Sequence, residues 1–408
     1  MDEGAMVGAL LVDLSKAFDT VPHQLLLKEL MAIGCNNKTM TWFRDYLSNR
    51  LQRVTKYDEV TPWMTVTRGV PQGSCLSPLL FNIFVRELPQ WSAPADVHGE
   101  LKRISDTFQF ADDITHSHVD PSLEVISDEL VACFDRTKQF CDSHQLVINA
   151  AKTQLIILKS PRRRLPEDYR LEMGGVAIEP AKNVQLLGFT IDHHLTFGDH
   201  INKTVKECNG ILGVLSRAAK YLPRELLKLA YIALIRSRLE YGSAVINSAA
   251  KTHLHKLDIV QKKASRIICH APRDAHSDPL LEALNLSPLQ ERRDEHILKL
   301  VSSILSKEIH PALQIMIEVG AGGRLKEDVH RTVAAGRSFR ATATRLYNNR
   351  IGDVTPMAAK ISRKGSPARC QKSLTAVFSR FPRAAFSLIW SPFCQAHTNG
   401  QKIRKIRK

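Results

Sequence analysis

Long apolar runs are missing from this chain of 408 residues. A helix that crosses a bilayer needs about 20 apolar residues in succession, so no membrane span is expected. The opening residues Met1-Asp2-Glu3-Gly4 lack the basic and apolar regions of a secretory leader. Cysteine is sparse, with eight at 35, 75, 133, 141, 208, 269, 370 and 394. That spread is too thin for a disulfide framework and points to a reducing, intracellular setting, nuclear or cytoplasmic. Acidic residues are scarce in one region only. Residues 321–408 carry 3 of them against 19 Lys and Arg, whereas residues 1–320 carry 38 of each sign. The formal net charge of +16 therefore comes wholly from the last 88 residues. Such an excess fits a polyanionic partner. What is plentiful is ordinary globular material. A hydrophobic content of 44% argues against wholesale disorder, and the length accommodates two or three domains.

The pattern along the chain begins with Met6 to Val12, almost wholly apolar and ending on Asp13, which reads as a buried strand. Lys16 to Leu30 has helical spacing and Gly34 stops it; Lys38 to Leu47 reads as a second helix. Arg50 to Val70 alternates as a hairpin does. Pro71-Gln72-Gly73-Ser74 breaks the pattern, and a helix follows from Leu76-Ser77-Pro78 to Leu88. Phe108 to Thr115 alternates around Asp112-Asp113 and reads as two strands joined at the aspartates. An amphipathic helix over Pro121 to His144 precedes strands at Leu155 to Leu158 and Val184 to Ile191. After residue 198 the spacing turns helical. Val205, Cys208, Leu212 and Leu215 share one side of a first helix, with Lys203, Lys206 and Arg217 on the other. Two further helices are expected near 224–241 and 253–269. Beyond residue 320 small residues, Arg and Ser alternate without a clear period.

Three carboxylates stand out. Asp13 ends a buried strand, where an unpaired charge is costly. Asp112 and Asp113 sit at a turn between apolar strands. Together they form a hard, oxygen-rich site that suits Mg²⁺, which takes a few carboxylates plus substrate phosphates. Two such ions, roughly 3.5–4 Å apart, stabilise the attacking and leaving oxygens of an in-line phosphoryl displacement. An Asp-Asp pair alone is also what an ordinary turn favours, so order and spacing have to decide.

The chain shows, in order, Val12-Asp13-Leu14-Ser15-Lys16-Ala17-Phe18-Asp19, then Gly69-Val70-Pro71-Gln72-Gly73-Ser74, then Phe110-Ala111-Asp112-Asp113, then Asn149-Ala150-Ala151-Lys152-Thr153, then Leu186-Leu187-Gly188-Phe189. These resemble the five palm motifs of reverse transcriptases of non-LTR (LINE-type) retrotransposons, most closely the jockey and CR1-like branch, over roughly residues 5 to 290. The resemblance implies an α+β fold. A right-hand polymerase palm, an antiparallel sheet with helices and partial fingers, would span 1–198. A helical thumb and post-thumb region would span 199–290, and an irregular basic tail 291–408. It implies RNA-directed DNA polymerase activity, with an RNA template, a DNA primer and dNTPs as partners. Two Mg²⁺ ions are the implied cofactors, with Mn²⁺ as the alternative. An element-encoded endonuclease or RNA-binding protein would be a further partner.

By the same resemblance Asp13, Asp112 and Asp113 are the catalytic metal ligands, with Asp113 in a supporting role. The Leu14 carbonyl lies near the metal. Phe18 is the aromatic gate that clashes with a ribose 2′-OH, the group that separates RNA from DNA precursors; without the motif it reads as a core aromatic. Gln72 and Gly73 contact the incoming nucleotide and template pair, or form a plain turn. Lys152 is a proton donor to pyrophosphate, or a solvated lysine. Leu187, Gly188 and Phe189 form the primer grip. Asp19 reads as a structural residue capping the next helix. Leu239-Glu240-Tyr241-Gly242-Ser243 resembles the post-thumb segment, with Ile246 or Asn247 where the family pattern carries tryptophan.

The departures matter as well. Only 12 residues precede Asp13, whereas the family has long fingers there with basic residues that grip the triphosphate. The expectation is an N-terminally truncated element copy or partial gene model. A catalytically inactive remnant that only binds nucleic acid or partner proteins is the second hypothesis, and an intron maturase the third. In the tail, Cys394 and His397 have half the spacing of a zinc knuckle, with Cys370 alone nearby. The basic run Gln401 to Lys408 reads as an import signal, a nucleic-acid patch or a disordered end.

Overall fold

The computed structural model describes residues 4–56, 59–92 and 105–306, together with 313, 316–320, 323–327, 330 and 332–361. Cys370, Cys394, His397 and the basic run at the C-terminus lie outside the described residues. The chain divides into two compact units, one running to Lys182 and the other starting at Asn183.

The first unit opens with β1 (Met6–Val12), then α1 (Ala17–Thr20), α2 (His23–Ala32) and α3 (Asn37–Leu47). The sequence reading of one helix over 16–30 is corrected here. Val21-Pro22 splits it, because proline cannot continue a helix from within and biases the residue before it toward extended backbone. Short strands β2 (Leu51–Gln52) and β5 (Met64–Thr65) pair outside β3 (Thr55–Lys56) and β4 (Glu59–Val60) as nested hairpin rungs. The helix expected over 76–88 is instead two, α4 (Ser77–Phe84) and α5 (Leu88–Ser92). Then come β6 (Ser105–Phe110), β7 (Asp113–Asp120), α6 (Leu123–Ser143), β8 (Gln154–Leu158), β9 (Leu171–Met173) and β10 (Val176–Ile178).

The main sheet has the order β6-β7-β1-β8 and is antiparallel throughout. β1 is central, which explains its nearly continuous apolar character. Its alternate residues Met6, Gly8, Leu10 and Val12 are buried. α6 lies against this strand so closely that a Cβ on Gly8 would run into Ile126 and Leu130. The helix earns that position through Ile126, Leu130, Phe134 and Phe140, all buried on one side, and through Ser122, whose hydroxyl caps it by accepting from the Val125 amide. On β7, His116 is fully buried between two hydroxyls, with Thr107 on Nδ1 and Thr137 on Nε2, each at 2.9 Å. Burial, helped by the nearby Arg136, pushes its pKa down to about 3, so the ring is neutral.

The second unit begins with a hairpin, β11 (Asn183–Leu186) and β12 (Phe189–Asp192), where the sequence reading had a single strand over 184–191. Helices α7 (Gly198–Ala218) and α8 (Arg224–Tyr231) follow. A π-helical turn over Ile232–Arg236 links α8 to α9 (Ser237–Leu239), and α10 (Ser243–Ile246), α11 (Lys251–Ile268), α12 (Ser277–Ala283) and α13 (Leu289–Leu305) complete the bundle. Ile201, Cys208, Leu212 and Leu215 of α7 enter its core with Leu227, Tyr231, Leu257 and Val260. Lys203, Lys206 and Arg217 are exposed on the opposite face. A helix over Phe339–Ile361 stands where no element was expected. Among the described residues no helix is long and apolar enough to cross a membrane.

Candidate active site

Strand register brings the first-unit carboxylates together. Val12 of β1 lies opposite Ile114 of β7. One step beyond on each strand, Asp13 leaves the sheet at the end where Asp113 begins β7. Phe110 pairs with Asp113, so Ala111 and Asp112 form the two-residue turn between β6 and β7. Ala111 adopts φ 53°, in the left-handed region that costs an L-residue about 1–2 kcal/mol. Its carbonyl is held by the Gln109 side-chain amide at 3.0 Å. A strained backbone that the surroundings over-determine is a common mark of a functional turn.

The electrostatics agree. Burial raises the pKa of Asp113, and the charges of Asp112 and then Asp13 raise it further. Asp113 thus feels the charges of both other carboxylates. A folded-state pKa above the ordinary value means that the folded chain binds more protons than the unfolded one, so stability falls as pH rises through that window. Asp13 Oδ2 is buried and accepts no hydrogen bond, while the Lys152 ammonium stands 3.6 Å from it. Lys152 is placed by the turn after Asn149, whose amide donates to the Asp13 carbonyl at 2.8 Å. Leu14 is buried and bridges to Ile148. Among the described residues, no group of three or more His, Cys, Asp or Glu side chains is arranged to hold a metal ion by itself. An orphaned carboxylate oxygen beside two mutually repelling carboxylates is nonetheless what a hard cation would relieve, with substrate phosphates completing its shell.

The second group surrounds the Gly69–Ser74 loop. Phe18 is half-buried and stacks on Phe81 with ring centroids 4.6 Å apart. Its carbonyl accepts from the Val70 amide at 2.8 Å. Gln72 is exposed, and its Nε2 donates to Asp19 Oδ1 at 2.8 Å. Asp19 therefore does not cap α2, whose N-cap is Pro22 without any side-chain hydrogen bond. Its carboxylate instead ties the strand-end motif to the glutamine loop, a role the sequence reading missed. Gly73 has φ +83° and open space around it, so a non-glycine would be strained there without any clash. Ser74 shares a 2.7 Å hydrogen bond with Tyr46 of α3.

The third group, Leu187, Gly188 and Phe189, lies in the second unit. Leu187 and Gly188 form the turn of the β11–β12 hairpin, with φ +49° and +82°. Two positive φ values in a two-residue loop match the twist of the flanking strands. Phe189 starts β12, its ring 5.1 Å from both Tyr241 and His200.

Residues 3–191 match the family described as reverse transcriptase (RNA-dependent DNA polymerase). A probable RNA-directed DNA polymerase from transposon BS of Drosophila melanogaster is 25% identical over 323 residues, 76% of this chain and 35% of its own length. The RNA-directed DNA polymerase from mobile element jockey of the same organism is 28% identical over 271 residues, 65% of this chain and 28% of its own. The chain thus spans about a third of the length of the curated relatives it matches. Among solved structures, apo telomerase from Candida tropicalis aligns over 65% of this chain and 42% of its own, at 12% identity and a TM-score of 0.35.

Proposed function

From the match of residues 3–191 to the reverse transcriptase (RNA-dependent DNA polymerase) family, we propose that this chain carries the polymerase centre of a non-LTR retrotransposon enzyme. It would add dNTPs to a DNA primer on an RNA template. The observation that carries the reading is the meeting of Asp13 with Asp112 and Asp113, drawn from a strand end and a distant hairpin turn, with Asp113 raised by both neighbours. Asp13, Asp112 and Asp113 would hold Mg²⁺, two ions by preference and Mn²⁺ as the substitute. Such ions stabilise charge on the attacking and leaving oxygens of phosphoryl transfer. Lys152, exposed and close to Asp13, would donate a proton to the departing pyrophosphate. Gln72 and Gly73 would face the nucleotide and template pair, and Leu187, Gly188 and Phe189 would hold the primer end. The basic face of α7 suits duplex phosphates. Further partners of the enzyme would be an element-encoded endonuclease or RNA-binding protein.

The direct test is dTTP incorporation on poly(rA)/oligo(dT) by the purified chain. Template-dependent incorporation supports the reading, and none above the template-free background overturns it. A second expectation concerns the metal. Millimolar Mg²⁺ should raise the melting temperature at pH 7 and have a smaller effect near pH 4, where the raised pKa of Asp113 favours its protonated form. Asp113→Asn should stabilise the metal-free chain, because it removes a charge that burial, and then Asp112 and Asp13, disfavour, and should blunt the Mg²⁺ response. Equal Mg²⁺ shifts at both pH values would count against a carboxylate site.

Phe18 gives a third. Its stacking on Phe81 fixes the ring, so Phe18→Val should leave dTTP use largely intact. Discrimination against UTP should fall by about tenfold to hundredfold, the range that a modest change of pocket shape supports. Unchanged discrimination would return Phe18 to the core.

A further inference from the structure

The second unit holds a feature that the assigned roles leave unused. Leu187 occupies a left-handed position that favours glycine, asparagine or aspartate, so something outside the hairpin has to hold it there. Tyr241 does. Its hydroxyl donates to the Leu187 carbonyl at 2.7 Å, and its ring stacks on Phe189 with centroids 5.1 Å apart and an angle of 23°. A Cβ on Gly188 would sit 3.5 Å from the same ring. The next residue, Gly242, has φ +56°, and a Cβ there would occupy the space of the Phe189 ring. Tyr241 and Gly242 thus form one seat for the hairpin tip.

The seat itself is anchored. Glu240 accepts two hydrogen bonds from Arg292, one of them at 2.8 Å from Nη2, and pairs with Arg236 at 3.6 Å. Arg236 ends the π-helical turn over Ile232–Arg236, a departure from α-geometry that is often retained at functional positions. Ser243, on the far side of Gly242, shares a 2.8 Å hydrogen bond with His296. The backbone on both sides of Tyr241–Gly242 is therefore fixed to α13, while Tyr241 itself remains 40% exposed.

We propose that Tyr241 is a positioning residue for the Leu187–Gly188 turn, and that Gly242 is required to seat Phe189 beneath it. The inference rests on the reading of this hairpin as the element that holds the primer end. Through the Leu187 carbonyl, Tyr241 sets the turn that meets the primer terminus, so its loss loosens primer placement and leaves nucleotide binding alone.

The test uses the full chain and Tyr241→Phe, which keeps the ring and removes only the hydroxyl. Hydrogen exchange of residues 183–192 should quicken by roughly threefold to tenfold, the ratio that one neutral hydrogen bond supports, without a fall in melting temperature beyond a degree or two. A primer ending in 4-thiothymidine, irradiated on its template, should give an adduct within residues 183–192 of the unaltered chain, and a reduced yield in Tyr241→Phe. This readout needs no turnover. Where turnover is measured, KM for primer–template should rise about threefold to tenfold while KM for dTTP stays constant. No adduct in the unaltered chain would sink the hairpin's primer role, and this inference with it. An adduct undiminished in Tyr241→Phe, or unchanged exchange at the turn, would overturn the inference alone and leave the hairpin reading in place.

Discussion

Asparagine at position 112 should cut nucleotide incorporation by on the order of a thousandfold or more while leaving the chain folded. Asp112 is a turn residue between β6 and β7, and what it visibly does is electrostatic: it raises the pKa of Asp113. Asparagine has the same shape and carries no charge, so the turn should persist and the local repulsion should fall. Removing one preorganised charge from a transition state typically costs a factor of 10²–10³ even where other groups remain, and here the lost charge is also a proposed cation ligand. The measurement pairs steady-state dTTP incorporation with a thermal melt. An unchanged or slightly higher melting temperature with activity near background is the expected result. Retention of more than about a tenth of the activity would remove Asp112 from the catalytic set. Asp113→Asn should cost less, if Asp113 plays the supporting part proposed for it.

Alanine at Gly69 should lower the melting temperature of the chain by about 6–12 °C. Gly69 sits at φ +88°, and a Cβ there would lie 2.7 Å from the Asp19 carbonyl oxygen and 2.8 Å from the Asp19 Cα. Both obstacles are backbone, which cannot swing aside as a side-chain tip can. The left-handed conformation costs alanine about 1–2 kcal/mol, and an overpacked contact about 1–3 kcal/mol more. A total near 3 kcal/mol corresponds to the stated shift for a unit of roughly this size. The strain has a specific address. The Gly69 amide donates to the Val21 carbonyl at 2.8 Å, its carbonyl meets His23 Nε2 at 2.8 Å, and the Val70 amide donates to Phe18 at 2.8 Å. Forcing these apart pulls Asp19 away from Gln72, so KM for dTTP should rise in the fraction that remains folded. A melting shift under about 3 °C would show that the backbone gives way more easily than this packing implies.

These two sites also show where sequence reading succeeds and where it stops. The strand and hairpin that carry the three carboxylates were legible because each leaves a local trace. An apolar run ending at Asp13 marks a central strand, and alternation on both sides of Asp112-Asp113 marks a hairpin, whose turn falls one residue earlier, at Ala111-Asp112. The long helix α6 was legible for the same reason, from the spacing of Ile126, Leu130 and Phe134. The bond from Gln72 to Asp19 left no such trace. It joins segments far apart in the chain, and a polar pair formed by tertiary folding has no period. Gly69 reads as one more loop glycine until the Asp19 backbone is seen behind it. Only the resemblance to the primer-grip motif pointed to the hairpin tip at Leu187–Gly188; by spacing alone it was hidden within an apparent strand, because leucine is not a turn residue. The external hold by Tyr241 is what makes it one, and that hold comes from a helix junction more than fifty residues later. The break at Pro22 is a different matter. Proline at that position is a local signal, and apolar spacing on both sides outweighed it.

The centrality of β1 has a consequence for how the chain comes into being. Met6 pairs with Asp120, and Val7 with Leu158. β1 is therefore enclosed only late in synthesis, because both of its neighbours are made more than a hundred residues later. At about 5–20 residues per second, an apolar segment waits roughly 8–30 s for its partners. During that interval Asp13 has no counterpart, since β7 and the aspartate turn have yet to emerge. Until the sheet closes, the waiting strand presents unpaired backbone to any other open edge.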